Sequence, residues 1–480
     1  MFKNLKFNKN YIYLFFLLSF LCFFLIDFQE EGDIYFLLSH GRYIFNNGIP
    51  HTEILSMHSE FNFIMQQWLS SAIFYFIYNY LGKLCFYIFM FIINFIITYL
   101  IYKLCLVISN NKKFSSCFIS VIAIILLQIG FIVFRPQIFT FIILLMILIM
   151  LELFSSKRKK YLYFMPVLSI LLINLHASMW PMIFILCMPY VVELVIKKDK
   201  DVLILLLFMT ISILVGIINP YGVGAMTYSI KTYGYKYICD VISEMKSFNL
   251  LGDAYVFYWS VNTLIIFLVS DLIILLNSKK ENIRVSHILL FYGTFIMALL
   301  SIRNVAIFIL CTVPFLVKYF EFRDDNNFYL NKKWIINYII IIMILICAFS
   351  NAINSKKYTF INPENKIISY LNKNASKNIK IFTNVSIGPM LEYFGYKPYI
   401  DTRAEVFMKK LNGKENILEE YVKFNLRKDV REEFINKYDF DYYIIEKSNY
   451  DLINYLINYK NKNYEIVLIY EDDYLIKKVS

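Results

Sequence analysis

The feature that most constrains the fold is a series of apolar runs of about 18 residues or more, joined by short polar loops. A bilayer core about 30 Å thick needs roughly 20 helical residues to cross it, so these runs are long enough to span a membrane. Of the 480 residues, 59% are hydrophobic and 18% are charged. The sequence therefore predicts an α-helical polytopic membrane protein whose first partner is the lipid bilayer.

The basic residues predict how the chain is oriented. Lysine and arginine gather in loops between apolar runs, where they favour the cytoplasmic side. All these loops can be cytoplasmic if the short stretch 68–81 does not cross but lies at the interface or dips in and returns. We then expect about 11 transmembrane helices, with a cytoplasmic N-terminus and the C-terminus outside. Their approximate positions are 11–27, 84–108, 114–134, 136–154, 161–175, 179–196, 202–218, 256–277, 285–301, 303–320 and 333–350.

This arrangement also accounts for the net charge of +12, so we predict no nucleic-acid partner. The many Asn, Ile, Lys, Tyr and Phe residues suggest a bacterial protein from an AT-rich genome. We expect a multi-pass protein of the bacterial plasma membrane.

The composition changes near residue 351, where charged residues become frequent. We expect a transmembrane domain over 1–350, with a first outer loop at 28–83, and a soluble extracytoplasmic α/β domain over 351–480. Within the second domain, the pattern predicts strand, helix, strand at 379–407 and one charged helix between 416 and 438. A strand, a helix and a two-stranded hairpin with its turn at 471–473 follow.

The polar residues that stand out against the apolar runs fall on one side of the predicted membrane. The outer helix ends and outer loops carry Asp33, Arg135, Asn174, His176, Asn219, Glu244 and Arg303. Chance scatter would divide them between the two faces. The one-sided grouping predicts a site that faces outwards.

Asp33 is the leading candidate for a catalytic residue, together with the weaker candidates Glu30, Glu31 and Glu53. A carboxylate beside the membrane could act as a general base or bind a metal ion. The alternative is that Asp33 only caps a helix that starts near Ile34. Both alternatives remain open on the residues alone.

Arg135 and Arg303 are candidates for binding an anionic group. Each lies at an outer helix end, and a guanidinium fork suits the two oxygens of a phosphate. Lone arginines at such positions also extend to lipid headgroups without further function. Since both face the same side as Asp33, we favour a lipid phosphate or pyrophosphate as ligand.

The remaining candidates have plain structural alternatives. His176 could be an ordinary buried histidine, Asn219 in the sequence NPYG could mark a helix end, and Glu244 could be a solvated acid. In the C-terminal domain, Asp401 and Arg403 could form a surface ion pair worth under about 1 kcal/mol.

Several classes of site are absent from the sequence. Seven of the eight cysteines lie in apolar runs, and no CxxC or HExxH spacing occurs, so no metal site is predicted. There is no P-loop and no GxGxxG fingerprint. We predict no cofactor, with a divalent cation at the acids of the first loop as the open alternative.

Seven short motifs follow one another in the order found in a known family. The chain resembles bacterial polytopic proteins grouped with GT-C type membrane glycosyltransferases, which are related to mannosyltransferase-like and lipid A arabinose transferase-like proteins. The matching segments are 33–42 (DIYFLLSHGR), 48–56 (GIPHTEILS), 135–137 (RPQ), 174–178 (NLHAS), 219–222 (NPYG), 303–304 (RN) and 401–405 (DTRAE). The chain departs from the family at Tyr35 and Phe36, where tryptophans are usual, at Glu53, where an aspartate is usual, and at Gln67, where an acid is usual.

The resemblance implies a GT-C-like fold and a sugar donor linked to polyprenyl phosphate. It implies that Asp33 deprotonates or positions the acceptor and that Arg135 and Arg303 contact the phosphate. Further substrate-binding candidates that the motifs or the outer position suggest are Asn174, His176, Asn219, Glu244, Asp401 and Arg403. The acceptor would be a glycan, a lipid or a protein of the cell envelope.

The sequence leaves three functions open. The first is a membrane glycosyltransferase that acts at the outer face of the membrane. The second is a lipid or glycan transporter or flippase component, although no internal repeat is evident. The third is a non-catalytic scaffold for envelope assembly, which the loss of an acid at Gln67 keeps open.

Overall fold

The computed structural model describes residues 32–277, 283–318, 365–459 and 463–479. The expected helices at 11–27 and 333–350, and the acids Glu30 and Glu31, lie outside the described residues. The described chain is mostly helical, with a small sheet near the C-terminus. It forms two compact units. The helical unit comprises 84–226, 244–277 and 283–318, and the α/β unit comprises 32–83, 227–243, 365–459 and 463–479.

The helices are numbered in chain order. In the first half they are α1 (Asp33–Asn47), α2 (Trp68–Phe76), α3 (Gly82–Ile108), α4 (Lys113–Gln128), α5 (Gln137–Ser155), α6 (Met165–His176), α7 (Met182–Ile196) and α8 (Asp201–Val215). Then come α9 (Val223–Met226), α10 (Tyr228–Thr232), α11 (Lys236–Val241), α12 (Ala254–Asn277), α13 (Val285–Leu300) and α14 (Val305–Thr312). The C-terminal part adds α15 (Lys366–Asn374), α16 (Gly388–Tyr393), α17 (Lys409–Asn412), α18 (Ile417–Leu426), α19 (Arg431–Tyr438) and α20 (Tyr450–Ile457).

Four helical stretches are long and apolar enough to cross a membrane, by length and composition within the described residues. They are Trp68–Ile108, Gln137–Ser155, Lys159–Met179 and Ala254–Leu276. Shorter apolar helices cover Ser115–Gln128, Met182–Ile196, Asp201–Val215 and Val285–Leu300. Seven of these eight segments coincide with expected crossing positions. The eighth, Trp68–Ile108, contains the expected crossing at 84–108 but also the stretch 68–81, which was expected not to cross. At the expected crossing 303–320, the described residues form the short helix α14 and a 3-10 helix, Val313–Lys318, instead of one long helix. The apolar segments support a helical membrane protein. The total of about 11 crossings stays a prediction.

Polar side chains join helices inside the helical unit. The Gln128 amide donates to Asn94 Oδ1 at 2.9 Å, and both side chains are buried. The Trp180 indole donates to Ser169 Oγ at 2.7 Å, and Ser169 donates to the carbonyl of Ser212 at 2.7 Å. Among apolar helices such bonds satisfy groups that have no access to water. The Gln128–Asn94 bond joins α4 to α3, and the Ser169–Ser212 bond joins α6 to α8.

The α/β unit contains a four-stranded sheet in the order β1-β2-β4-β3. Its strands are β1 (Ile381–Phe382), β2 (Tyr442–Glu446), β3 (Asn463–Tyr470) and β4 (Asp473–Val479). Strand β1 is parallel to β2, and the other pairs are antiparallel. The predicted C-terminal hairpin is confirmed as β3–β4, with Glu471 at a φ of 52° in its turn.

Two details of the C-terminal prediction are wrong. The second strand expected before Asp401 is a single bridge between Ile381 and Pro398, since proline has no N–H to donate to a ladder. The single helix expected between 416 and 438 is two helices, α18 and α19. Buried Arg431 donates to the carbonyls of Phe424 and Asn425 at 3.2 and 3.0 Å, which caps the end of α18.

The first loop packs on the C-terminal segment inside the α/β unit. The Met57 and Asn62 amides donate to the carbonyls of Pro398 and Asn412, both at 3.1 Å. Arg42 on α1 donates to the carbonyl of Tyr393 at 3.1 Å, and Tyr393 ends α16. Residues 32–83, which the sequence assigned to the first outer loop, therefore form one compact unit with the C-terminal segment.

Candidate functional site

Arg135 and Glu244 form an ion pair in the helical unit. Arg135 precedes Pro136, after which α5 begins at Gln137, so its guanidinium lies at a helix N-terminus. Its Nη1 donates to Glu244 Oε1, and the two side chains are 23% and 29% exposed. Burial raises the pKa of Glu244, but the positive charges of Arg135 and Arg303 outweigh burial and lower it. Glu244 is therefore a carboxylate whose charge is compensated by arginine.

Arg303 lies beside this pair. It sits in the short 3-10 turn Ile302–Asn304 that precedes α14. The Glu244 segment is bonded to the same turn, because Ser301 Oγ donates to the carbonyl of Glu244 at 3.0 Å and the Ile302 amide donates to the carbonyl of Lys246 at 3.0 Å. Of the two arginines predicted as phosphate contacts, Arg135 thus pairs with Glu244, and Arg303 lies near enough for its charge to act on the same carboxylate.

His176 ends α6 and is buried. Its Nδ1 lies 2.8 Å from the hydroxyl of Thr140, which is on the first turn of α5. Arg303 lies near enough for its positive charge to interact electrostatically with the His176 ring. We call Arg135, His176, Glu244 and Arg303 the arginine cluster, because these four predicted residues are linked by the Arg135–Glu244 ion pair and by the charge of Arg303.

Asn174 and Asn219 bond to the backbone. The Asn174 amide donates to the carbonyls of Ile170 and Ile218 at 2.8 and 2.9 Å. Asn219 donates to the carbonyls of Gly216 and Gly222 and accepts from the Tyr221 amide. Asn219 thus builds the turn after α8, as expected for a helix end, and the role of both residues in substrate binding stays a prediction.

Asp33 is the first residue of α1 and is half-buried within the α/β unit. The N-cap residue is Gly32, which has no side chain to cap the helix. Asp33 is the acid of the first turn. A negative charge at this position stabilises the helix through its dipole. The catalytic role of Asp33 stays a prediction.

Asp401 and Arg403 do not form a surface pair, which corrects that alternative. Both are buried, and Arg403 Nη2 lies 2.5 Å from Asp401 Oδ2. The same guanidinium donates to both carboxylate oxygens of Glu53 at 2.9 and 3.1 Å and to Glu392 at 3.0 Å. Its Nη1 also lies 2.9 Å from His40 Nε2. We call these five residues the Arg403 cluster; their contact with a substrate stays a prediction.

The protonation of the Arg403 cluster follows from its burial. Burial raises the pKa of Glu392 well above its usual value, and the neighbouring charge of Asp401 raises it further. Burial would raise the pKa of Asp401 too, but the charge and hydrogen bonds of Arg403 lower it. Burial and the charge of Arg403 both lower the pKa of His40. At neutral pH we expect a neutral Glu392, an ionised Asp401 and a neutral His40.

The sequence analysis missed another ionic group in the helical unit, whose two carboxylates are buried. Arg284 bonds to Glu152 on α5 at 2.9 Å and to Glu193 on α7 at 3.2 Å. His287 Nε2 and the Tyr190 hydroxyl also contact Glu152, at 3.0 and 2.8 Å. The available signal was a single glutamate in each of two apolar runs, LIMLELF and VVELVI. Such intramembrane acids normally have a partner.

Among the described residues, no three His, Cys, Asp or Glu side chains are arranged to hold a metal ion. The acids of the Arg403 cluster instead surround a guanidinium. Because Glu30 and Glu31 lie outside the described residues, a divalent cation at the acids of the first loop stays an open alternative.

Comparison with known proteins adds no assignment. No protein-family model matches the chain, and no curated protein matches it. The chemistry of the arginine cluster therefore rests on its own residues and their geometry.

Proposed function

We propose that the protein is a membrane glycosyltransferase of GT-C type. It transfers a sugar from a polyprenyl-phosphate-linked donor to a cell-envelope acceptor at the outer face of the membrane. The observation that carries this proposal is the arginine cluster, where Arg135 pairs with Glu244 and the positive charge of Arg303 also acts on that carboxylate and on His176.

The charge of the arginine cluster suits a phosphodiester. Two guanidinium groups against one carboxylate leave one positive charge among these residues. A sugar linked to a lipid through one phosphate carries one negative charge. Arg135 and Arg303 each precede a helix, α5 and α14, and helix N-termini add positive potential for an anion. The donor phosphate would thus be neutralised without a free lysine or a metal ion.

The same charge would favour the chemical step. When the sugar leaves, the phosphodiester becomes a monoester that carries about −1.5 to −2 charges. Because this extra negative charge develops in the transition state, a preorganised positive group stabilises the transition state more than the ground state. Asp33 would take the proton of the acceptor hydroxyl, a contribution of about 10² to 10⁴-fold for general-base catalysis.

The ionic group of Arg284, Glu152, Glu193 and His287, which we call the Arg284 group, bears on the second candidate, a lipid or glycan transporter. Buried ionisable residues among apolar helices often mark transport pathways. Glu152, however, is three residues from the end of α5 at Ser155, and Arg284 immediately precedes α13. Transporter sites are expected near the middle of the bilayer. This placement at helix ends favours the enzyme.

A binding experiment tests the proposal. The full chain in lipid nanodiscs is titrated with undecaprenyl phosphate, and Arg303→Gln is compared with the parent. Loss of one charge-assisted hydrogen bond costs about 1.5 to 3 kcal/mol, so we expect affinity to fall roughly 10- to 100-fold. Arg158→Gln, an exposed arginine outside the cluster, is the matched control and should bind as the parent does. Equal affinity of the parent and Arg303→Gln would refute the phosphate site.

A further inference from the structure

We propose that four aromatic side chains of the α/β unit form a surface that contacts the headgroup layer of the lipid bilayer. They are Phe45 at the end of α1, Tyr75 and Phe76 at the end of α2, and Tyr80 in the π-helical turn that follows α2. We call them the aromatic patch. The inference depends on α3 entering the membrane and is independent of the proposed enzymatic activity.

The four rings are packed as one group. The ring centroid of Phe45 lies 5.5 Å from Tyr75, 6.4 Å from Phe76 and 5.8 Å from Tyr80. Tyr80 in turn lies 6.3 Å from Tyr75 and 5.5 Å from Phe76. These separations lie in the range of favourable aromatic pairs. The rings therefore form a continuous surface.

The close approach of α1 and α2 creates this surface. A Cβ atom on Gly41 would lie 2.3 Å from Tyr75 Cβ and 2.4 Å from the carbonyl oxygen of Ser71. Only a glycine at position 41 lets the two helices pack at this distance. One helical turn later, Phe45 is thereby placed against Tyr75 and Phe76.

The patch remains open to its surroundings. Phe45 is 45% exposed, Phe76 46% and Tyr80 59%, and the adjacent Leu81 is 53% exposed. Contiguous exposed rings of this size are costly in water, so a contact partner is expected. The partner should accept both apolar rings and phenolic hydroxyls.

The chain itself identifies the partner as a membrane. Leu81 is followed by α3, which belongs to the longest apolar helical stretch in the described chain, Trp68–Ile108. Leu84, Ile88 and Ile92 on α3 are large exposed aliphatic residues at four-residue spacing, so they share one helix face. The exposed surface therefore changes from aromatic to aliphatic within a few residues. That is the order met on passing from headgroups into the hydrocarbon core.

A distance limit strengthens this argument. Leu84 is four positions after Tyr80, and a chain spans at most about 3.6 Å per residue, or about 14 Å here. The headgroup layer on each side of the core is about 5 to 8 Å thick. If Leu84 enters the core, Tyr80 cannot be far from the headgroups. Tyrosine is also enriched in that layer, because its ring is apolar and its hydroxyl can remain hydrated.

Spin labelling of the full chain tests the inference. Single cysteines replace Tyr80, Ile92 and Tyr450 in a Cys239→Ser parent, because Cys239 is the exposed cysteine among the described residues. After reconstitution into phosphatidylglycerol–phosphatidylethanolamine vesicles, the accessibility of each nitroxide to oxygen and to a nickel chelate is measured. Ile92→Cys is the reference for the bilayer core. Tyr450→Cys, a position 64% exposed in the α/β unit, is the reference for water.

We expect the oxygen-to-nickel ratio at position 80 to lie several-fold above that at 450 and several-fold below that at 92. Phe76→Cys should give a similar intermediate ratio. A ratio at position 80 equal to that at 450 would place the patch in water and overturn the inference. A ratio equal to that at 92 would place it in the core, as for a segment that dips into the membrane, and would also overturn it. A water-like ratio at 92 would remove the premise that α3 crosses.

Discussion

Burial gives the Asp401–Arg403 pair a structural role that a surface ion pair would not have. In the sequence, Asp401 and Arg403 could be a weak surface pair. In the structure the Arg403 guanidinium has polar partners on α1, in the first loop, in α16 and in its own turn, and the rings of Phe36 and Phe63 flank it at 5.9 and 5.7 Å. A buried charge of this kind is costly unless every polar atom around it is paired. Arg403 therefore joins the first loop to the C-terminal segment.

Arg403→Met should destabilise the α/β unit strongly. Removing one partner of a buried ion pair costs about 3 to 5 kcal/mol, because the other charges stay buried without compensation. Hydrogen exchange of residues 33–47 in the full chain would measure this as lost protection. Arg427→Met is the matched control, since its pair with Asp429 is largely exposed and screened by water, so its loss should change protection little. Equal protection in the two variants would contradict this account of Arg403.

His40 and Glu392 predict a pH dependence in which two effects oppose each other. The pKa of His40 is lowered on folding, so its contribution to stability is present above about 6.5 and is lost as the pH falls below that value. The pKa of Glu392 is raised, so its contribution is present below about 4.5 and is lost as the pH rises towards the folded value. Between about pH 5 and 6.5, unfolding releases the proton of Glu392 and adds a proton to His40. The number of bound protons is then nearly the same in the two states, so the free energy of unfolding should change little with pH.

Single substitutions should separate the two effects. Glu392→Gln leaves only His40, so protection of 33–47, corrected for the intrinsic exchange rate, should fall by up to about 1.4 kcal/mol per pH unit below pH 6.5. His40→Gln keeps an acceptor for Arg403 but does not titrate. Its protection should instead rise as the pH falls over the same range. Parallel pH profiles for the two variants would show that these groups are not protonated as we infer.

The residues of the candidate sites were only partly predictable from the sequence. Arg135, His176, Glu244 and Arg303 were singled out because they fall at helix ends or in loops on one predicted side. In the structure Arg135 pairs with Glu244, and the charge of Arg303 acts on Glu244 and His176. Glu392 was not predictable, because an acid in a soluble segment is normally solvated. Only the tertiary contacts with Arg403 reveal its burial.

At the scale of elements, the helices of the helical unit were the most predictable feature. Long apolar runs specify a helix wherever water is absent, because the backbone must satisfy its own hydrogen bonds. The C-terminal hairpin was equally clear from its alternating strands. The division between α18 and α19 was not, because it depends on Arg431 reaching back to two carbonyls of the preceding helix.

Gly41→Ala should push α1 and α2 apart. The added methyl group would overlap Tyr75 Cβ and the carbonyl of Ser71, and overpacking of this kind costs about 1 to 3 kcal/mol. Gly293→Ala, in the middle of α13, is the matched control. A Cβ there meets nothing within 4 Å, so that variant should be neutral or slightly more stable. Melting temperatures of the full chain in detergent would compare the two, and an unaffected Gly41→Ala would contradict the close packing.

At the scale of the whole molecule, helix α5 connects the two ionic groups of the helical unit, the arginine cluster and the Arg284 group. The arginine cluster lies at its N-terminus, and Glu152 of the Arg284 group lies near its C-terminus. A 19-residue helix is about 28 Å long, close to the thickness of a bilayer core. One group is therefore expected at each membrane surface. Which of the two groups faces outwards stays a prediction that rests on the basic loops.

Cysteine labelling tests this orientation. In sealed right-side-out vesicles, a membrane-impermeant maleimide should label Lys410→Cys, an exposed position of the α/β unit, without permeabilisation. Lys160→Cys, exposed in the basic loop after α5, should be labelled only after permeabilisation. A Cys239→Ser parent removes the exposed native thiol. Labelling at position 160 in sealed vesicles would contradict the predicted topology.

The most direct test of the proposed transferase is the pool of lipid-linked sugars in cells. The chromosomal copy is replaced by Asp33→Asn or by Glu60→Gln, a control at an exposed acid of the first loop, and polyprenyl-phosphate-linked sugars are measured by mass spectrometry. We predict that one such sugar lipid accumulates in the Asp33→Asn cells at normal protein level, whereas Glu60→Gln cells match the parent. An unchanged lipid pool in Asp33→Asn cells would contradict a transferase in which Asp33 is the base.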